Sequence, residues 1–241
     1  MTEKPSSIQG WIVNGVTGAN LMLGVTALLA VTLDATAAAA WCLLGCVALD
    51  AMDGYLARRW DVSTPIGAQL DSLADMTSFV VASAVLSFYW FWPTIEIPVL
   101  FLAGCVYVFG GAFRLARFNA AGEVSTQFQG LPTTAVAALV AVIYLTCPQL
   151  NAHYGVAYLV MLGLLMVSDF PYPKGTHMLS YPSWFYAILA VGAVIDVRWT
   201  TWIAATAFLL SGPIRWLFAR RSRDSRAELV ASDPPPPDHP R

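Results

Sequence analysis

The sequence predicts an all-α integral membrane protein, a polytopic bundle of eight transmembrane helices with both termini in the cytoplasm. Three observations carry that expectation. Hydrophobic residues make up 57% of the 241 residues and charged residues only 12%, against about 25% charged in soluble domains. Mean hydropathy is +0.61, and apolar runs recur from Trp11 to Phe218 with no polar stretch long enough for a soluble domain. The basic residues, finally, are placed asymmetrically about those runs.

The first run, 12–33, follows MTEKPSSIQGW, which lacks the basic-then-apolar layout and small-residue cleavage site of a signal peptide, so it is expected to persist as a helix. It stops at Asp34. The second run, 36–59, is closed by WDVSTP, and the third, 66–91, by Pro93 and Pro98. The fourth, 97–118, gives way to NAAGEVSTQFQG, and the fifth, 131–147, to Pro148 and Asn151. The sixth, 153–169, ends in DFPYPKG; Asp196 and Arg198 separate the seventh, 179–196, from the eighth, 199–219. With eight spans and a cytoplasmic N-terminus, Lys4, Arg58, Arg59, Arg114, Arg117, Lys174, Arg215, Arg220, Arg221, Arg223, Arg226 and Arg241 share one side, leaving only Arg198 opposite. The side rich in Lys and Arg is the cytoplasmic one.

The chain therefore divides into a cytoplasmic segment 1–11, a membrane domain 12–219, and a basic then Pro-rich tail 220–241 expected to be disordered. Arg220, Arg221, Arg223 and Arg226 suit a topology anchor or contact with anionic headgroups. The net charge of −2 says little about partners, because in a membrane protein the placement of charge matters more than its sum, and no basic surface for a nucleic-acid partner is apparent. Cys42, Cys46, Cys105 and Cys147 lie in or beside apolar runs without a CxxC pair, as packed reduced thiols do. His153, His177 and His239 are dispersed, and aromatic residues such as Trp90, Trp92, Tyr181 and Trp184 flank spans as interfacial anchors. Gly110, Gly111 and Ala112 permit close helix packing.

Against this background, Asp50, Asp53, Asp71 and Asp75 need an explanation. A carboxylate in mid-bilayer costs roughly 2.5–3.5 kcal/mol on insertion scales, so four left bare would cost on the order of 10 kcal/mol. On a helix, Asp50, Asp53, Gly54 and Ala57 fall within about 100° of arc, while Gly67, Asp71 and Asp75 climb one side of the next helix at intervals of four. The turn Trp60–Pro65 lets these helices run antiparallel with their aspartates facing, near the cytoplasmic end. Converging like charges call for a cation, and an all-oxygen donor set suits Mg2+ or Mn2+ rather than Zn2+. Gly54, Ala57 and Gly67 leave room for a bulky ligand, and Arg58 can meet an anion. Together these features suggest a diphosphate substrate and displacement at phosphorus. A buried ion network, or the pathway of a cation transporter, uses intramembrane carboxylates too.

The stretch from Asp50 to Asp75 fits DxxDGxxARx8GxxxDxxxD at Asp50, Asp53, Gly54, Ala57, Arg58, Gly67, Asp71 and Asp75. It resembles the CDP-alcohol phosphatidyltransferase family. The resemblance implies an integral membrane enzyme moving a phosphatidyl group from a CDP-linked lipid to an alcohol with release of CMP. It makes Asp50, Asp53, Asp71 and Asp75 metal ligands and Asp75 the general base, with Gly54, Ala57, Arg58 and Gly67 at the CDP site. Asn14, Thr17 and Asn20 correspond to first-helix residues near the nucleotide, although the Pro usual before that Asn is Val13 here.

GAFRLARFN at 111–119, FQGLP at 128–132 and MVSDFPYPK at 166–174 look like the phosphatidylserine synthase branch. That implies CDP-diacylglycerol and L-serine as substrates, in the cytoplasmic membrane of a prokaryote, with the site facing the cytoplasm. Glycerol 3-phosphate or inositol phosphate is the alternative acceptor. Arg114, Arg117, Asn119, Gln129 and Lys174 are the residues expected to hold the acceptor or a lipid phosphate. Membrane lipids and a second copy of the chain are the further partners that the resemblance implies.

Overall fold

In the computed structural model, residues 8–62, 64–121, 128–172, 191–192 and 194–232 are described. They form α1 (Ile8–Thr32), α2 (Thr36–Trp60), α3 (Pro65–Phe91), α4 (Ile97–Ala121), α5 (Thr133–Thr146), α6 (Ala152–Val167) and α7 (Val197–Ser232). α1 to α4 are each long and apolar enough to cross a membrane, since about 20 residues at 1.5 Å rise span its hydrocarbon. α5 and α6 are apolar but shorter, with 14 and 16 residues. The expected span 179–196 falls almost wholly outside the described residues, as do Tyr181 and Trp184. The helical, membrane-integral character of the chain stands on α1 to α6.

α1 shows how the bundle is built. Its buried positions are Val13, Thr17, Asn20, Gly24, Ala27 and Val31, alternating steps of four and three that make one seam against neighbouring helices. The opposite face exposes Trp11, Met22, Leu29 and Leu33, and a helix apolar on its outside as well as its inside belongs in lipid. α1 packs on α2 and α3, and α4 packs on α6. At the second contact glycine is required, because a Cβ on Gly110 would run into the Gly163 carbonyl; where α4 passes α3, one on Gly111 would run into Val80. These two of the three expected close-packing positions are used as the sequence suggests.

Three features depart from the sequence reading. Phe128–Gln129 and Pro171–Tyr172 form a two-stranded antiparallel pair, β1 and β2, where only loops are expected. This pairing unites the FQGLP and MVSDFPYPK segments. α7 continues to Ser232, through the first thirteen residues of the tail expected to be disordered; those thirteen include the helix formers Arg, Ala, Glu and Leu and no proline. Finally, α3 is not a uniform α-helix: Met76–Val81 is a π-helical turn, with the Ala82 N–H donating to the Thr77 carbonyl.

That turn has a cause in the spacing of α3's polar residues. Asp71, Asp75, Ser83 and Ser87 sit at multiples of four, and such a row drifts by about 40° per step on an α-helix, or about 160° from Asp71 to Ser87. The extra residue of one π turn takes back about 100°. Ser83 and Ser87 consequently stay buried, Ser83 sharing a 2.7 Å hydrogen bond with the Tyr107 hydroxyl of α4.

Candidate active site

The turn joining α2 to α3 brings the aspartates together. Asp61 adopts the left-handed conformation, φ 53°, which a short polar side chain tolerates. Its N–H and that of Val62 both donate to the Ala57 carbonyl, closing α2. Thr64 starts α3, its hydroxyl accepting the Gly67 N–H at 3.0 Å, with Pro65 in the first turn. A Cβ on Gly67 would lie 2.9 Å from the Thr64 hydroxyl and 3.0 Å from Asn14 Oδ1. Gly67 thus lets α1, the α3 cap and the α2–α3 turn meet.

One carboxylate oxygen from each of Asp50, Asp53 and Asp71 lies within 4.8 Å of the others. Asp53 is the most enclosed, 4% exposed, and Thr17 of α1 donates to its Oδ2 at 2.8 Å. Asp75 follows one turn beyond Asp71, immediately before the π turn. Its Oδ1 is buried without a hydrogen-bond partner among the described residues. Three converging hard oxygens, and a fourth carboxylate with an unsatisfied buried oxygen, fit a divalent cation. The fit is chemical: no sulfur or imidazole is in the set.

The remaining expected residues separate into groups. Arg58 lies over its own helix, Nη1 standing 3.2 Å from where a Cβ on Gly54 would be, so the small residue gives the guanidinium its place. Asn20 is fully buried, its side-chain nitrogen and oxygen both without partners among the described residues, while its carbonyl accepts from Ser78 at 3.1 Å. Asn119 is exposed and accepts a 3.0 Å hydrogen bond from Ser72, a neighbour of Asp71. Gln129 is exposed and its backbone, rather than its side chain, is engaged. Lys174 lies outside the described residues.

Arg114 and Arg117, three residues apart on α4, have different surroundings. Arg114 is buried, donates to the Thr133 hydroxyl at 2.9 Å, and acts electrostatically on Asp75 and Asp50. Arg117 turns instead to the loops. It donates to the carbonyls of Val167 and Ser168 at 3.0 Å, to that of Gln129 at 2.7 Å, and to Asp169 at 3.0 Å. Those bonds tie the end of α4 to β1 and to the α6–β2 connection. Ser72 and Thr133 escaped sequence reasoning; the available signals were adjacency to Asp71 and to FQGLP.

A family model described as CDP-alcohol phosphatidyltransferase matches residues 11–170, from within the first turn of α1 to beyond the end of α6. The chain belongs to the CDP-alcohol phosphatidyltransferase family. It is 28% identical over 215 residues to the CDP-diacylglycerol–serine O-phosphatidyltransferase of Helicobacter pylori (strain ATCC 700392 / 26695), covering 85% of this chain and 90% of that one. The protein of the same name from Methanocaldococcus jannaschii is 30% identical over 177 residues, 71% of this chain and 80% of its own. The archaetidylserine synthase of Methanothermobacter thermautotrophicus is 32% identical over 138 residues, 55% and 56% of the two chains. Membership makes the protein a membrane-integral transferase of the CDP-alcohol type, and the aspartate cluster falls inside the matched region.

Proposed function

We propose that the protein transfers a phosphatidyl group from CDP-diacylglycerol to the hydroxyl of L-serine, forming phosphatidylserine and releasing CMP. What carries this reading is the name shared by the relatives from Helicobacter and Methanocaldococcus, aligned over most of this chain. Glycerol 3-phosphate and inositol phosphate lose ground on the same observation. A cation transporter fits neither the family nor the placement of Gly54, Gly67 and Arg58 around the carboxylates.

In this reading Asp50, Asp53, Asp71 and Asp75 hold Mg2+ or Mn2+, which when bound would offset their charge and that of the diphosphate. Thr17 orients Asp53 from α1. Gly54, Ala57 and Gly67 admit the CDP group beside the α2–α3 turn, with Asn14 and Asn20 lining the α1 side and Arg58 addressing a phosphate. Asp75 takes the proton from the acceptor hydroxyl, the role its unsatisfied buried oxygen suits. The oxygen of serine then displaces CMP at the phosphorus bearing diacylglycerol. Arg114 and Asn119 serve the acceptor side, whereas the bonds of Arg117 and the Gln129 backbone favour a scaffold role.

The same proposal includes eight spans, cytoplasmic termini, a site open to the cytoplasmic leaflet of a prokaryotic inner membrane, and a homodimeric assembly. The domain boundaries belong to it as well: 12–219 as the transferase domain, flanked by 1–11 and 220–241. The test is CMP release by purified protein in detergent with CDP-diacylglycerol and Mg2+ or Mn2+, offered serine, glycerol 3-phosphate or inositol phosphate in turn. Serine-dependent release supports the proposal. Release with another acceptor alone overturns the serine assignment, and no release under any of these conditions overturns the enzyme reading.

A further inference from the structure

The aspartate cluster has two dissimilar sides. On the α1–α2 side stand Thr17 against Asp53, Asn14 against Gly67, and Arg58 over Gly54. On the other side α4 presents Arg114, within electrostatic reach of Asp75 and Asp50. Arg114 is 7% exposed and Thr133, which receives its Nη1 hydrogen bond at 2.9 Å, is 1% exposed. Burying a guanidinium is costly and needs hydrogen bonds and compensating charge; here Thr133 supplies a hydrogen bond that orients it, and Asp75 and Asp50 supply charge within electrostatic reach.

Thr133 is itself fixed by its surroundings. It opens α5 directly after Pro132, and the residues before it are pinned: the Gly130 N–H donates to the Phe170 carbonyl at 3.0 Å and that of Leu131 to the Leu165 carbonyl at 3.1 Å. Gly130 has φ 81°, and a Cβ there would run into the Met166 carbonyl. The β1–β2 pair and its glycine therefore hold the start of α5, the start of α5 holds Thr133, and Thr133 holds Arg114.

This chain of contacts ends at Arg114, which is within electrostatic reach of the residue assigned to the acceptor hydroxyl. An amino-acid acceptor delivering its hydroxyl to Asp75 carries a carboxylate only three bonds from that oxygen, into a site already holding four acidic side chains. Without a cation close by, it would be repelled. Building on the proposed serine reaction, we propose that Arg114, braced by Thr133, anchors the carboxylate of the acceptor amino acid, which makes Thr133 a positioning residue for acceptor use.

The experiment compares L-serine with L-serinamide and serinol, which keep the hydroxyl and the amine but lack the carboxylate, in the CMP-release assay on the unaltered protein. It is repeated on T133V and T133S. Loss of the charge-assisted anchor is expected to lower kcat/KM for serinamide and serinol at least about tenfold relative to serine. T133V, which removes the hydroxyl at constant volume, is expected to raise the KM for serine about tenfold while moving that for CDP-diacylglycerol less than about twofold; T133S restores serine use. Serinamide used as well as serine overturns the anchor alone, as does T133V raising both KM values together. Activity confined to glycerol 3-phosphate or inositol phosphate overturns the serine reaction and, with it, the anchor.

Discussion

Replacing Thr17 with valine isolates one bond at the proposed metal site. Thr17 and Asp53 are 3% and 4% exposed, so water does not take over when the hydroxyl is removed, and valine keeps the volume, so no cavity opens. The 2.8 Å bond to Asp53 Oδ2 is a donor to a charged group, and such bonds contribute about 1.5–3 kcal/mol. At about 1.4 kcal/mol per decade, that predicts metal affinity reduced about 10- to 100-fold, the range seen when a ligand loses the partner that orients it. The assay is the Mn2+ or Mg2+ concentration giving half-maximal CMP release, together with calorimetric titration of the metal onto substrate-free protein. T17S, which keeps the hydroxyl, should fall near the unaltered protein. A half-maximal metal concentration for T17V within twofold of the unaltered value would falsify the argument that Thr17 holds Asp53 for a cation.

Other changes separate chemistry from architecture. D75N is expected to lower CMP release by about 100-fold or more, the usual contribution of a general base, while CDP-diacylglycerol still binds; near-normal turnover would remove Asp75 from that role. G110A forces a Cβ into the Gly163 carbonyl and should destabilise the protein by about 1–3 kcal/mol, seen as an earlier thermal transition in detergent. An unchanged transition would mean that α4 and α6 separate freely. R117A strips three carbonyls and Asp169 of their donor, so thermal stability should fall and KM for serine should change little. The opposite result, stability kept and serine use lost, would return Arg117 to the acceptor site.

Much of the membrane architecture is legible because lipid imposes a length and a polarity on each segment. α1 to α4 coincide closely with the first four apolar runs, and the Asp61–Thr64 turn is announced by its own residues: an aspartate able to turn left-handed, then Thr-Pro to begin a helix. The aspartates are legible for a related reason, since lipid makes their cost conspicuous. What the linear pattern does not carry is anything set by contact between distant segments. The pairing of Phe128–Gln129 with Pro171–Tyr172 joins residues more than forty apart, and two-residue strands leave no periodicity to read. The π turn escapes for a subtler reason. Its residues, MTSFVV, are unremarkable, and only the four-residue spacing from Asp71 to Ser87 records the drift that it corrects.

The two arginines of GAFRLARFN show why a residue type in a motif does not by itself name a role. Read along the sequence, Arg114 and Arg117 are equivalent: both cations, both near the end of a span, both suited to a carboxylate or a phosphate. On α4 they differ by about 60° in direction, and that rotation divides them. Arg117 faces the connections, and peptide carbonyls and Asp169 take its hydrogen bonds. Arg114 faces inward, where Thr133 accepts from one nitrogen and Asp75 and Asp50 act on it electrostatically. A buried cation in a bilayer protein is costly unless something negative uses it. In the proposed reaction, Arg114 rather than Arg117 is therefore the cation placed to meet an arriving acceptor anion beside Asp75 and Asp50.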